Sequence, residues 1–244
     1  MGFDGTTLVL INVIVCGAAF VSALSGFGYG LVGTPFLMIF FPPQLVVPLV
    51  LLSWSPLGVV LAWEARRQMV MRQIGLWLLG GLPTIFLGTY ILIHVPARPL
   101  SWAIGCFTVG VALLMGFTPS RPFKRENWGC IGAGLISGTT GGACGISGPA
   151  VVLFGLNQGW DRRQIRANLI GYFLVLHTAI LLVLGRANVV DGQVLETGLW
   201  ILPGMLLGYW GGVRLKDRVS QEQFRRLVLV MVIAGGVMVV VKHI

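Results

Sequence analysis

Two stretches of this chain gather the residues able to hold a small polar solute: SGFGYGLVGTP at 25–35 and SGTTGGACGISGP at 137–149. Ser25, Thr34, Thr139, Thr140 and Ser147 bring hydroxyl donors, and Phe27 and Tyr29 bring rings to the first stretch against Thr140 and Ala143 in the second. Gly26, Gly28, Gly141, Gly142 and Gly148 allow backbone angles that interrupt a helix and let a second backbone come close. Pro35 and Pro149 each remove an amide donor and fix φ. Amides freed by such breaks cannot face lipid, so the breaks must be buried in protein or line a polar cavity. Helix N-termini meeting there, with the hydroxyls, would hold an anion. The competing reading is that Gly, Ala and Ser only let helices pack closely.

The two stretches read as copies. Gly28, Gly33 and Pro35 precede Gly142, Ser147 and Pro149 by 114 residues, while Pro83 and Gly88 precede Pro203 and Gly208 by 120. A duplication with a six-residue insertion accounts for both spacings; chance matching among 35 glycines is the alternative. Three single residues add chemistry. His177 lies roughly 18 Å along the helix that follows Arg166, where an imidazole can exchange a proton or simply bond to a neighbouring helix. Asn168, 114 residues after Trp54, has an amide able to orient an oxyanion if the second break folds back towards it. Cys144 sits in the second break, where a thiol could meet a sulfur compound, although relay chemistry would need thiolate character and access. Cys16, Cys106 and Cys130 have neither redox nor metal-ligand spacing, and no metal site or cofactor is expected. The chain has no nucleophile–base–acid constellation, phosphate loop or ATPase domain, so an enzyme is not expected.

The elements that position these residues follow from composition. The chain is 56% hydrophobic and 10% charged with eight Trp, and its mean hydropathy is +0.87, outside the range of soluble domains. Apolar segments run at about 7–27, 28–41, 44–63, 73–93, 99–117, 127–157, 165–185, 197–213 and 223–241, several with the roughly 20 residues that cross a bilayer. The 28–41 piece is too short to cross upright. No basic n-region precedes the first segment, so a secretory signal peptide is not expected. Arg66, Arg67 and Arg72; Arg121, Lys124 and Arg125; Arg162, Arg163 and Arg166; and Arg214, Lys216, Arg218, Arg225 and Arg226 account for 14 of 17 basic residues. The positive-inside rule assigns these four regions to the cytoplasm and the C-terminus to the outside. The net charge of +9 thus becomes a fringe beside anionic lipid and gives no reason to invoke nucleic acid.

With those loops inside, 7–41 leaves and returns on the outer side and 127–157 on the inner side, the latter as two short helices joined around Gly142; two full-length helices at 7–27 and 28–41 are the competing description. The expected fold is an all-α polytopic membrane protein of two inverted repeats, 1–120 and 121–244. Each repeat has a glycine-rich broken helix or re-entrant hairpin followed by three transmembrane helices.

In its paired glycine-rich motifs, its two four-helix-like halves and its length, the chain resembles the sulfite exporter TauE/SafE family of membrane permeases along nearly all its residues. SGFGYGLVGTP corresponds to that family's first motif and GGACGISGP at 141–149 to its second. The resemblance implies a multi-pass inner-membrane exporter or permease for sulfite, an organosulfonate or a related sulfur-containing anion; the residues alone specify a small polar, preferably anionic solute. A small-anion channel and a thiol relay through Cys144 are the alternatives. A proton or sodium gradient is the expected driving force, with lipid the other partner.

Overall fold

A computed structural model describes residues 5–116, 122–215 and 221–243, apart from the side chains at 115, 116, 221–227 and 243. Arg121, Lys216 and Arg218, the side chains of Arg225 and Arg226, and the expected boundary at 120/121 lie outside the described residues. Every regular element among them is helical, as lipid requires of a chain that must satisfy its backbone internally. Leu79, Phe86 and Leu87 on one helix and Leu206 and Leu207 on another are exposed, which suits a surface bathed in hydrocarbon.

Helix α1 (Gly5–Ser25) is about 31 Å long and can cross a bilayer alone, whereas α2 (Tyr29–Met38) reaches only about half that length. The same pair recurs as α6 (Glu126–Cys144) and the short α7 (Gly148–Asn157). Each break is therefore a long helix followed by a half-length return, a combination of the two expected descriptions. The long helices α3 (Pro43–Ala65) and α8 (Arg162–Arg186) follow the returns. After α3 come a 3-10 turn, α4 (Met71–His94) and α5 (Ala97–Gly116). After α8 the next helix is interrupted, as α9 (Gly192–Trp200) and α10 (Leu202–Leu215), before α11 (Gln221–His243). Among the described residues five helices, α1, α3, α4, α5 and α8, are long and apolar enough to span a membrane.

Sequence chemistry sets the boundaries. Gly26 (φ 78°) and Gly145 (φ 69°) take the left-handed conformation that ends α1 and α6. Their amides bond back to Ser22 O at 2.7 Å and Gly141 O at 2.9 Å. The joint between α6 and α7 is thus Gly145–Ser147, and Gly142 is an interior residue of α6. Asp161 caps α8 by accepting from the amides of Arg163 and Gln164, and Asp191 caps α9 by accepting from Val194 N. Asn12 of α1 bridges the α9–α10 interruption: its amide donates to Trp200 O at 3.1 Å and accepts from Gly204 N at 2.9 Å.

Glycine contacts fix the relative directions of the helices. A Cβ at Gly204, Gly208 or Gly212 of α10 would lie 2.5, 2.1 or 2.8 Å from the carbonyl oxygens of Asn12, Cys16 and Phe20 in turn, so α1 and α10 run parallel. In the same way Gly80 of α4 meets Ile131 O at 2.1 Å and Gly88 meets Thr139 O at 2.2 Å, so α4 and α6 run parallel. Gln73 bonds Gln164 and Asn168 while Gly81 abuts Tyr172 and Leu176 further on, which adds α8 to the α4–α6 set. Gly198 abuts Leu52 and Tyr209 bonds Glu64, which adds α3 to the α1–α10 set. The two sets are opposed, because α4 returns from α3 through the short 3-10 turn. Between them lies a core of large side chains including Trp54, Trp77 and Tyr172, all less than 2% exposed.

Candidate functional site

The returns α2 and α7 end up nose to nose. Gly28, N-cap of α2, has φ 98° and carries no side-chain cap; Ser147, N-cap of α7, makes no capping bond either. The backbones cross so closely that a Cβ on Gly30 would lie 2.1 Å from Gly145 O. Only glycine fits there. A Cβ on Gly148 would lie 3.3 Å from the Phe27 ring.

A cavity of about 20 Å³ lies at this crossing, lined by Gly28, Tyr29 and Gly30 of the first hairpin and Ser147, Gly148 and Pro149 of the second. Trp54 of α3 and Phe173 and His177 of α8 wall it. Helix N-termini expose amide donors and a positive partial charge, so two of them here make the lining anion-receptive without a lysine or arginine. The side-chain donors are neutral too. Ser147 Oγ sits 3.1 Å from His177 Nε2, and Ser147 O accepts from Ser137 Oγ at 2.6 Å. Tyr29 OH donates to Ser53 Oγ at 2.7 Å. The imidazole is stacked on Phe173, centroids 5.2 Å apart and planes 4° from parallel, with the Trp54 ring edge-on at 4.9 Å. His177 Nδ1 is buried with no hydrogen-bond partner, so the ring is held in position while one nitrogen remains available. No group of His, Cys, Asp and Glu among the described residues could hold a metal ion.

The residues expected at the site divide into three groups. Phe27, Gly28, Tyr29, Ser147, Gly148 and His177 line the cavity. Ser25, Gly26, Gly141, Thr34 and Pro35 shape the hairpins around it. Ser25 Oγ lies between Val21 O, at 2.8 Å, and Phe27 O, and accepts from Phe27 N at 3.3 Å, which fastens the turn. A Cβ on Gly26 would strike the Arg166 side chain, and one on Gly141 would lie 2.4 Å from Ser147 Oγ. Thr34 is fully buried beside Gly145, and its Oγ1 has no hydrogen-bond partner. Pro35 is buried inside α2 against Gly235.

The remaining residues are not brought to the cavity. Thr139 and Thr140 donate back to Leu135 O and Ile136 O of their own helix, both at 3.0 Å. Gly142 packs on α4, where a Cβ would meet Ile85 O at 2.9 Å; at this position the close-packing reading is the one that describes the glycine. Cys144 is buried, with Sγ directed at Thr140 O. Asn168 spends its amide on the start of α4, accepting from Val70 N at 2.7 Å and donating to Gln73 Oε1 at 2.5 Å.

Sequence reading missed Phe173, Gly145 and Gly30, and used Trp54 only as the residue that Asn168 follows by 114. The signal was present but in another register. Tyr29–Met38 and Gly148–Asn157 are 119 residues apart, as are the starts Pro43 and Arg162 and the ends Ser25 and Cys144. On that spacing Gly26 matches Gly145 and Trp54 matches Phe173, whose rings touch at 6.1 Å. It also agrees within one residue with the 120 that separates Pro83 from Pro203.

No match was found among curated proteins or among solved structures. The family described as sulfite exporter TauE/SafE matches residues 11–239. With a match over nearly the whole chain, on an all-helical membrane fold whose central cavity suits an anion, the protein belongs to the sulfite exporter TauE/SafE family of membrane transporters.

Proposed function

We propose that the cavity between the N-termini of α2 and α7 is the anion site of an alternating-access transporter built from two inverted repeats. Family membership makes the protein a secondary transporter of a small sulfur-related anion and not an enzyme. The observation that carries the site is the pair of helix N-termini, neither capped by a side chain, on one cavity. Broken helices that turn their N-termini to an anionic group near the bilayer midplane are a recurring transporter solution.

The repeat reading draws on reciprocal packing. The first helix of each half lies along the fourth of the other, α1 on α9–α10 and α6 on α4, and the two halves run in opposite directions. The halves would then be 1–120 and 121–244. A cavity of 20 Å³ has room for about one water molecule. A sulfite-sized anion therefore requires the hairpin tips to part, and the present arrangement is the closed one between two open states. Ser147 and the exposed amides take the oxyanion, while Phe27, Trp54 and Phe173 shield it from water. His177 is the proton carrier in this scheme: an anion bound among neutral donors gains a countercharge if a proton enters with it. Arg66, Arg72, Arg125, Arg162 and Arg214 mark the cytoplasmic face of the inner membrane.

Uptake into proteoliposomes tests the reading, with sulfite, sulfoacetate, taurine and chloride offered under an imposed pH or sodium gradient. Saturable uptake of sulfite or an organosulfonate, accelerated by a proton gradient, is expected. Saturation by none of them removes the substrate class, and stimulation by sodium alone removes His177 as the coupling group.

A further inference from the structure

Arg166 stands in the second turn of α8, on the face of that helix that walls the cavity. Phe173 and His177 follow it by 7 and 11 residues, close to two and three full turns. It therefore lies about 10 Å from the level of Phe173, towards the arginine-rich end of the bundle where α8 begins at Arg162. The side chain runs along the tip of the first hairpin. A Cβ on Gly26 would lie 2.4 Å from Arg166 Cγ and 3.3 Å from its Cδ. Nη2 donates to Ala23 O at 3.1 Å, one of the carbonyls left over at the end of α1. The residues after Gly26, Phe27 and Gly28, line the cavity, so the arginine stem and the hairpin tip meet between the cavity and the arginine-rich end.

The bonding of this guanidinium is incomplete. Nε is buried with no hydrogen-bond partner. Arg166 acts electrostatically on Tyr209, whose hydroxyl donates to the Glu64 carboxylate at 2.8 Å. An arginine at a helix C-terminus is a common structural cap, and capping accounts for the bond to Ala23 O. It does not account for a stem laid over the tip of a cavity-lining hairpin. Because a buried donor without an acceptor is destabilising, this arrangement lasts only while the tip stays down, and parting of the tip frees the guanidinium.

We propose that Arg166 is the charge-selecting gate residue on the arginine-rich side of the anion site. When the hairpin tips part, its guanidinium leaves Ala23 O, meets the arriving oxyanion and passes it to the neutral donors at the crossing. A planar fork of N–H donors suits an oxyanion, and a positive charge at the mouth turns cations away. The proposal rests on the crossing being the anion site, and adds the residue that selects charge before that site is reached.

The test uses the full chain in membranes, with the four native cysteines replaced and Phe27→Cys as a reporter thiol. Two methanethiosulfonates of opposite charge, sulfonatoethyl and trimethylammonium-ethyl, are applied to whichever face labels a cysteine placed at Arg67. Each rate is divided by the rate at that Arg67 position, which removes the surface potential. The anionic-to-cationic ratio then cancels changes in thiol reactivity and in how often the tip opens, because both reagents share them. With Arg166 present the anionic reagent is expected to react faster. Arg166→Gln should lower the ratio about tenfold, the low end of what a charged cleft contributes to counter-ion arrival, and Arg166→Lys should keep most of it. Capping alone would make both rates rise together in Arg166→Gln with the ratio unchanged, and that result overturns the proposal. So do equal rates for the two reagents with Arg166 in place, or no labelling of the reporter from this face, neither of which needs a variant at 166 to fold. Protection of the reporter by sulfoacetate is read separately: its absence counts against the crossing as the anion site, while the ratio decides on Arg166.

Discussion

Ser147 is the N-cap of α7, lines the cavity and sits 3.1 Å from His177 Nε2, so its hydroxyl can turn from the imidazole to an incoming oxyanion without backbone movement. Removing it by Ser147→Ala is expected to weaken anion affinity about two- to tenfold, the range of one hydrogen bond's net worth. Isothermal titration of monodisperse protein measures this, and unchanged affinity across the anion series would remove Ser147 from the site. His177→Gln separates binding from coupling: saturable uptake should persist while the acceleration by an imposed pH gradient disappears. No carboxylate of the described residues lines the cavity, so a retained proton effect in this variant would move the proton to a group elsewhere. Asn168 is expected to behave differently from both. With its carbonyl on Val70 N and its amide on Gln73, Asn168→Leu should lower stability by roughly 1–3 kcal/mol, through two polar partners left unpaired, and leave the affinity of folded protein unchanged. Its polarity was legible in the sequence. Its partner was not, because Gln73 is 95 residues away and an amide satisfied by a distant helix reads the same as one free to bind.

Among the elements, the most demanding geometry is the crossing of α2 and α7. At Gly30 an alanine methyl would sit 2.1 Å from Gly145 O, a backbone atom that can move only if the hairpins separate. Gly30→Ala should therefore abolish the closed crossing, at a cost in the range of 1–3 kcal/mol or above that accompanies overpacking. Gly185→Ala in α8 is the control: a Cβ there meets nothing within 4 Å, so it should stabilise by about 0.5–1 kcal/mol. Thermal unfolding in detergent and uptake assays on the same preparations distinguish the two, and normal transport by Gly30→Ala would mean that the tips never close this tightly. The existence and order of the helices was legible because apolar runs of about 20 residues carry their own signal, and so was the shortness of the piece after Gly28. The register between the halves was not. Gly142 and Pro149 matched Gly28 and Pro35 as letters, yet Gly142 serves the packing of α6 on α4, while the glycine that does the turning is Gly145. Close packing and chain reversal both select glycine, and only backbone angles tell them apart. Asn12 shows the same limit: nothing near it in sequence reveals that it bonds both sides of the α9–α10 interruption.

For the whole molecule, the opposed directions of α1, α3 and α10 against α4, α6 and α8 turn the basic-residue bias into one testable statement. Arg66, Arg72, Arg125 and Arg162 stand at or beside the ends of α3, α4, α6 and α8, and these ends share one face because α4 leads back from α3 and runs parallel to α6 and α8. Arg214 near the end of α10 joins them, since α10 runs parallel to α1 and α3. His94 and Arg98, at the end of α4 and the start of α5, belong to the other face. A single orientation therefore assigns every loop at once, and lysine and arginine bias selects the one with the arginine-rich face in the cytoplasm. With Cys16, Cys106, Cys130 and Cys144 replaced, single cysteines at Arg67, Pro96, Asp161 and Asn188 should divide cleanly. In intact cells an impermeant maleimide should label positions 96 and 188 and spare 67 and 161, and permeabilisation should expose all four. Labelling of 67 and 161 from outside would invert the molecule as a unit, leaving the fold intact and reversing the assigned faces. Labelling of 67 and 96 from the same side would be more damaging, because α4 would then not cross. The opposed halves, and with them the two hairpins that meet end to end, would have to be given up.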